Sequence, residues 1–236
     1  MSFNYSPKIV TDGLVLYLDA ANTRSYPGTW TVWSDLSRSG NNGTLTNGPT
    51  FNSANGGSIV FDGTNDYVRI PFAKNILPQT DITIFTWQYL TARDSTIMMA
   101  SDGTGNNELI LYNGFSGLLS DKFGVGINSP AGTTTWLVSN LTPPLNIWTN
   151  ICVTRNGTTV NLYFNAVFDN TNTQTGNIQP GNNSPLLIGV DADSGDEGSL
   201  GNYFNGRIAQ TSIYNRTLTA AEILQNFNAT KTRFGL

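Results

Sequence analysis

The sequence predicts an all-β fold: a two-sheet antiparallel jelly-roll sandwich with one short C-terminal helix. Three observations predict it. Short apolar or alternating segments recur along the 236 residues, separated by clusters of Gly, Asn, Pro and Ser, which is how strands and turns alternate in a sandwich. Charged residues make up only 12% of the chain, about half the usual share. Polarity comes instead from Asn, Thr, Ser and Gly, which build turns and edges. Helical periodicity is confined to the stretch after Arg216. With 39% apolar and 11% aromatic residues the chain can bury a sizeable core. No linker divides it, so residues 1–12 read as an N-terminal arm and 13–236 as one domain.

Strands are expected at Leu14–Asp19, Ser58–Phe61, Tyr67–Ile70, Ile82–Tyr89, Ile97–Ala100 and Glu108–Tyr112. Six more follow at Phe123–Ile127, Thr135–Val138, Trp148–Thr154, Thr159–Phe164, Leu186–Gly189 and Tyr203–Tyr214. Between two of them, Asn156-Gly157 predicts a type I′ hairpin with both residues at positive φ. Thr219-Ala-Ala-Glu222 reads as a capping box that opens a helix from about Ala220 to Asn228. Ile223, Leu224 and Phe227 would dock it against the end of the sandwich. Asn22–Thr50 and Asn170–Pro185 read as long ordered loops.

Composition excludes several functions. The chain has no histidine, which removes Ser-His-Asp and Cys-His triads, His-ligated zinc and imidazole acid-base catalysis. The one cysteine, Cys152, cannot form an internal disulfide and lies between Ile151 and Val153 as a small core residue. The net charge is -4 and the twelve Lys and Arg are scattered singly, so no patch could neutralise a row of phosphates and nucleic-acid binding is not expected. No apolar run is long enough to span a bilayer, so no membrane insertion is expected. The N-terminus lacks the pattern of a signal peptide, which predicts a protein that folds in the cytoplasm of the cell that makes it.

Four ordered motifs carry a family resemblance across nearly the whole chain. They are Gly13-Leu-Val-Leu-Tyr-Leu-Asp19, Ser58-Ile-Val-Phe-Asp-Gly-Thr-Asn-Asp-Tyr-Val68, Trp148-Thr-Asn-Ile-Cys-Val-Thr-Arg-Asn-Gly157 with Val160-Asn-Leu-Tyr-Phe-Asn165, and Phe204-Asn-Gly-Arg-Ile208 through Tyr214-Asn-Arg-Thr-Leu-Thr-Ala-Ala-Glu-Ile223. Together they resemble the laminin G-like, concanavalin A-like superfamily. The wording of Ile9–Asn22 and Asn41–Phe51 is similar, more narrowly, to structural proteins of tailed bacteriophages, notably those of cyanobacteria. That resemblance implies a virion protein used for capsid decoration, tail fibre or appendage. It would touch capsid or tail proteins, contact host-surface glycans, and repeat as a symmetric homo-oligomer. Assembly in the host cytoplasm would explain the missing signal peptide. A free bacterial carbohydrate-binding lectin is the alternative, and a glycoside hydrolase comes third.

No catalytic residue and no obligate cofactor are expected. A retaining glycosidase needs two carboxyls about 5–5.5 Å apart, and glucanases of the resembled superfamily carry them as E-x-D-x-x-E. The three glutamates here, Glu108, Glu197 and Glu222, form no such pattern. Asp191, Asp193 and Asp196, at near-alternate positions around a Gly turn, are candidate ligands for a hard cation, calcium being the one the resemblance favours; a solvated acidic loop is the other reading. Tyr26 and Trp30, in a polar loop, are candidates for stacking on sugar rings. Trp33 reads as core.

Overall fold

The computed structural model describes residues 8–101, 107–114, 121–128, 134–192 and 199–236. The candidate ligands Asp193 and Asp196, together with Glu197 and the arm residues 1–7, lie outside them. Two eight-stranded antiparallel sheets face each other. The first holds β1 (Leu14–Asp19), β4 (Thr50–Asn52), β5 (Ser58–Asp62), β7 (Ile82–Leu90), β12 (Trp148–Asn156), β13 (Thr159–Phe164), β14 (Val167–Thr173) and β18 (Asn205–Tyr214). Its order is β14-β13-β12-β7-β18-β5-β4, with β1 beside β18 as well. β18 is long enough to pair with β5 over Asn205–Ile208 and with β1 over Gln210–Tyr214.

The second sheet holds β2 (Val32–Trp33), β3 (Gly43–Thr46), β6 (Tyr67–Ile70), β8 (Ser95–Ser101), β9 (Asn107–Asn113), β10 (Phe123–Asn128), β11 (Thr134–Val138) and β15 (Leu186–Ile188), ordered β11-β10-β9-β8-β15-β6-β3-β2. A small ribbon, β16 (Asp191–Ala192) with β17 (Leu200–Gly201), stands apart.

Alternation along each strand divides the apolar residues between faces. Leu16, Ile59, Phe61, Ile84 and Ile151 from the first sheet meet Val68, Ile70, Ile97, Leu111 and Ile188 from the second in the main core. The other face of the first sheet is covered as well. Phe85, Trp87, Trp148, Cys152 and Tyr214 pack there against Ile223 and Phe227 of α1 (Ala220–Thr230). Burial on both faces is why β7 and β12 read as near-continuous apolar runs and not as an alternation.

The helix therefore docks on the outer face of the first sheet, and not on the end of the sandwich as the sequence predicted. Trp87 fixes it: its ring stacks on Phe227 and Phe234, with centroids at 5.6 and 4.2 Å, and its Nε1 donates to Thr230 Oγ1 at 2.9 Å. Leu224 is 49% exposed, so the buried stripe is Ile223, Asn226, Phe227 and Thr230. Residues 8–10 are tied to this layer without forming a strand. Val10 donates its N–H to Asn226 and accepts from the Tyr214 hydroxyl.

The capping box forms as expected: Glu222 Oε2 accepts the Thr219 N–H at 2.8 Å, and Thr219 Oγ1 accepts from Glu222 N. Arg216 also grips Glu222, at 2.6 Å. The Arg216 hydrogen bond, with the Thr219 amide behind it, holds the Glu222 carboxyl at about 2. A depressed acid stabilises the fold above its ordinary carboxylate range and loses that contribution as pH falls through about 2. Glu222→Gln should therefore melt below the wild type at neutral pH. The gap should close on acidification through that window, which melts at stepped pH would record; a constant gap would refute the assignment.

Two hairpins distribute their strain differently from the sequence reading. Asn156 pairs with Thr159, leaving Gly157 and Thr158 as the loop. Only Gly157 has positive φ (57°), the pattern of type II′ and not I′. The I′ pattern falls instead on Asn165 (φ 50°) and Ala166 (φ 61°), between β13 and β14. A Cβ at Gly157 would meet no atom within 4 Å, so backbone strain alone opposes substitution. Gly157→Val should cost about 1–3 kcal/mol in urea unfolding and leave any ligand binding intact; a neutral result would sink the turn assignment.

The stretch predicted as a loop from Asn170 begins as β14, an edge strand. On it Asn170 and Asn172 donate their side-chain amides to the carbonyls of Val138 and Trp136 on β11, the edge of the opposite sheet. Gln174 continues the series to Thr135 and Val125. This amide ladder closes one flank of the sandwich and blunts two edges that could otherwise recruit strands.

Candidate functional site

At the opposite flank the chain crosses from β3 in one sheet to β4 in the other through Asn47, Gly48 and Pro49. Asn47 (φ 66°) and Gly48 (φ 108°) take the left-handed conformations that make the crossing tight. Beside it, Trp33 is fully buried, as the sequence predicted, and pins the preceding loop. The loop is fastened by backbone bonds from Ser34 to Ser25 and from Leu45 to Thr31.

A cavity of about 460 Å³ opens here. Its floor is Tyr26 against Phe51, rings tilted with centroids 5.5 Å apart. Trp30 forms one wall and is 68% exposed, while Thr29, Asn47 and Thr50 supply polar groups at the rim. Among the described residues, none that is ionisable lines it except Tyr26, with its phenol. Burial raises that phenol's pKa, so the floor is neutral. An exposed aromatic ring beside hydroxyl and amide groups suits a ligand with apolar C–H faces and many hydroxyls.

The structure thus brings Tyr26 and Trp30 to one cavity, in unequal roles. Tyr26 is only 4% exposed and is floor; Trp30 is the group free to stack. Sequence reasoning missed Asn47, Thr50 and Phe51. The signal available was Asn47-Gly48-Pro49, which marks a tight crossing but not its neighbour.

Other candidates are engaged elsewhere. Asp191 is buried and accepts from the Ala192 N–H and the Asn202 amide. Among the described residues no three His, Cys, Asp or Glu cluster as a metal site would require. Glu222 belongs to the helix cap. Cys152 is fully buried, and desolvation pushes its thiol pKa up, the reverse of an activated nucleophile. A cavity of about 440 Å³ near the N-terminal segment contains Tyr17, Asp19 and Arg233, which are joined to one another by hydrogen bonds of 3.1 and 2.9 Å.

A two-sheet sandwich with a sugar-sized cleft at its rim is a lectin-like architecture. Residues 62–224 match the laminin G-like family model described as the concanavalin A-like lectin/glucanases superfamily, and the chain belongs to that family. No curated protein sequence matches it. Among solved structures, domain 4 of AbnA, a GH43 extracellular arabinanase from Geobacillus stearothermophilus, in complex with arabinotriose, is similar at 17% identity with a TM-score of 0.68; the alignment covers 90% of this chain and 97% of that one. The binding domain of Paraclostridial Mosquitocidal Protein 1 is similar at 18% identity and TM-score 0.69, covering 93% and 52%. Trypanosoma rangeli sialidase with the inhibitor DANA is similar at 15% and 0.63, covering 93% and 33%. This chain therefore spans about half of the toxin domain and a third of the sialidase. At these identities the likeness shows the fold.

Proposed function

We propose that this protein is a non-enzymatic carbohydrate-binding module displayed on the surface of a phage particle, where it contacts host glycans. The observation that carries the sugar reading is Trp30, 68% exposed over a cleft floored by Tyr26 and Phe51. An aromatic ring of that exposure adds nothing to the core, and its neutral surroundings favour a neutral pyranose or furanose ring. The arabinotriose in the arabinanase domain supports the ligand class. The virion reading is supported by the wording of Ile9–Asn22 and Asn41–Phe51, and it entails symmetric copies against a capsid or tail protein.

Trp30→Ala should abolish retardation in affinity gels cast with the preferred glycan while leaving the melting temperature unchanged. Retention of binding would remove the cleft from the proposal. Quantitative mass spectrometry of purified particles tests the virion placement, and particles lacking the protein would refute it.

A further inference from the structure

Strand register links the Trp30 cleft to a second feature on the outer face of the first sheet. Thr50, which lines the cleft, is the cross-strand partner of Val60; Val60 is the partner of Arg207, Arg207 of Tyr89, and Tyr89 of Trp148. Directly opposed residues in antiparallel strands point to the same face, and Tyr89 and Trp148 pack on the helix side. The five side chains therefore form one row across the outer face. Neighbouring strands lie about 4.8 Å apart, so Arg207 stands two spacings, about 10 Å, from Thr50.

Arg207 differs from the chain's other well-anchored arginines. Arg93, Arg216 and Arg233 pair with carboxylates, and Arg155 is bound by backbone carbonyls. The Arg207 guanidinium lies over the Tyr89 ring at 4.0 Å and within 5.6 Å of the Trp148 ring. Among the described residues it has no hydrogen-bond acceptor and no ion-pair partner. Asp62, two residues beyond Val60 on the same face, accepts instead from the amides of Thr64 and Asn65. The platform itself is fixed, because Trp148 Nε1 donates to Asn55 Oδ1 at 3.1 Å. Stacking thus sets the plane of a partly exposed guanidinium and leaves its N–H donors unsatisfied by protein. That is the arrangement a planar or tetrahedral anion accepts as a bidentate partner.

We infer that Arg207, on its Tyr89–Trp148 platform, is an anion subsite for an acidic sugar residue, a carboxylate or sulfate ester, in a glycan whose neutral residue occupies the Trp30 cleft. The inference rests on the sugar-binding reading of that cleft. It makes the ligand an acidic heteroglycan lying around the β4 edge. The two sites divide the work, the cleft supplying stacking and the arginine selecting charge.

The two tryptophans report the two sites separately in ¹H–¹⁵N spectra, through the indole N–H of Trp30 and that of Trp148. Three probes are titrated into the whole protein: methyl β-glucoside, methyl β-glucuronide and glucose 6-sulfate. The neutral glucoside should shift Trp30 alone. At least one anionic probe should also shift Trp148, more weakly as salt is raised, and which one does so distinguishes carboxylate from sulfate. Arg207→Gln should weaken the anionic probe about tenfold or more with the Trp33 and Trp87 indole signals unmoved. Trp148 unresponsive to both anions in the wild type overturns the inference, whatever Trp30 does and whether or not the variant folds. Trp148 responding while Trp30 ignores all three probes would instead sustain the anion subsite and remove the sugar cleft.

Discussion

Replacing Arg155 with Leu is expected to destabilise the protein by about 3–5 kcal/mol, the upper end of single-residue effects. Its side chain is 1% exposed at the end of β12. Nε donates to the Gly157 carbonyl at 2.7 Å, Nη1 to Gln79 at 3.2 Å, and Nη2 to Gln174 and Gly176. One guanidinium thus ties together the β12–β13 hairpin, the turn before β7 and the segment that follows β14. Desolvation lowers its pKa, and Asp81, which also accepts the Gly157 N–H at 2.8 Å, pulls it back. Leucine would fill part of the volume but take a donor from four carbonyls; that of Gln79 keeps the Ile178 N–H, and any other that stays buried without a partner costs about 1–3 kcal/mol. Because the 174–176 segment can open to water, the sum is not fully realised. Lysine should recover less than half of the loss, since an ammonium cannot aim donors in three fixed directions. Urea unfolding would show it, and limited proteolysis should find a new cleavage near Gln174. A loss under about 1 kcal/mol would mean that the carbonyls find other partners and that Arg155 is no clamp.

Arg155 also shows where sequence reading stops. It was visible only as part of the hairpin Arg155-Asn156-Gly157, because the carbonyls it binds come from distant segments whose residue types are irrelevant. Strands with a strong apolar alternation were legible: the ends of β1, β6 and β13 agree with the sequence to the residue. β2 and β3 were read as loop, and β4 was not expected, because they are two to four residues long and carry Gly43 and Thr where an apolar period would be. β14 was missed for another reason. Its period-two signal is present, at Asn170 and Asn172 and in Gln174 just beyond its end, but is written in amides, and polar alternation marks a strand only when the opposite edge offers carbonyls. At the cleft, Trp30 and Tyr26 were legible as polar-loop aromatics. Their unequal exposure was not, because it depends on Phe51 arriving from β4.

A pair of amides inside the main core should give the clearest non-additive result. Gln88 on β7 and Asn113 on β9 are 1% and 0% exposed and belong to opposite sheets. Gln88 Nε2 donates to Asn113 Oδ1 at 3.2 Å, and Asn113 Nδ2 donates back to Gln88 Oε1 at 3.1 Å. Each amide is thereby satisfied by the other, and the bonds fix the relative shift of the sheets in a way that aliphatic contacts cannot. Gln88→Leu or Asn113→Leu alone should cost about 2–4 kcal/mol, because the surviving amide keeps a donor and an acceptor in a dry core. The double replacement removes both polar groups and places hydrocarbon against hydrocarbon. It should be no worse than the milder single variant, giving a coupling energy of about 2 kcal/mol or more. Nearby, the Thr86 and Thr211 hydroxyls lie 3.1 Å apart and should be indifferent to either change, which makes Thr86→Val a control for general core disruption. Urea unfolding of the four proteins completes the cycle. Strictly additive losses would show that the two amides act independently, with water or backbone replacing the missing partner, and would end their role as the link between the sheets.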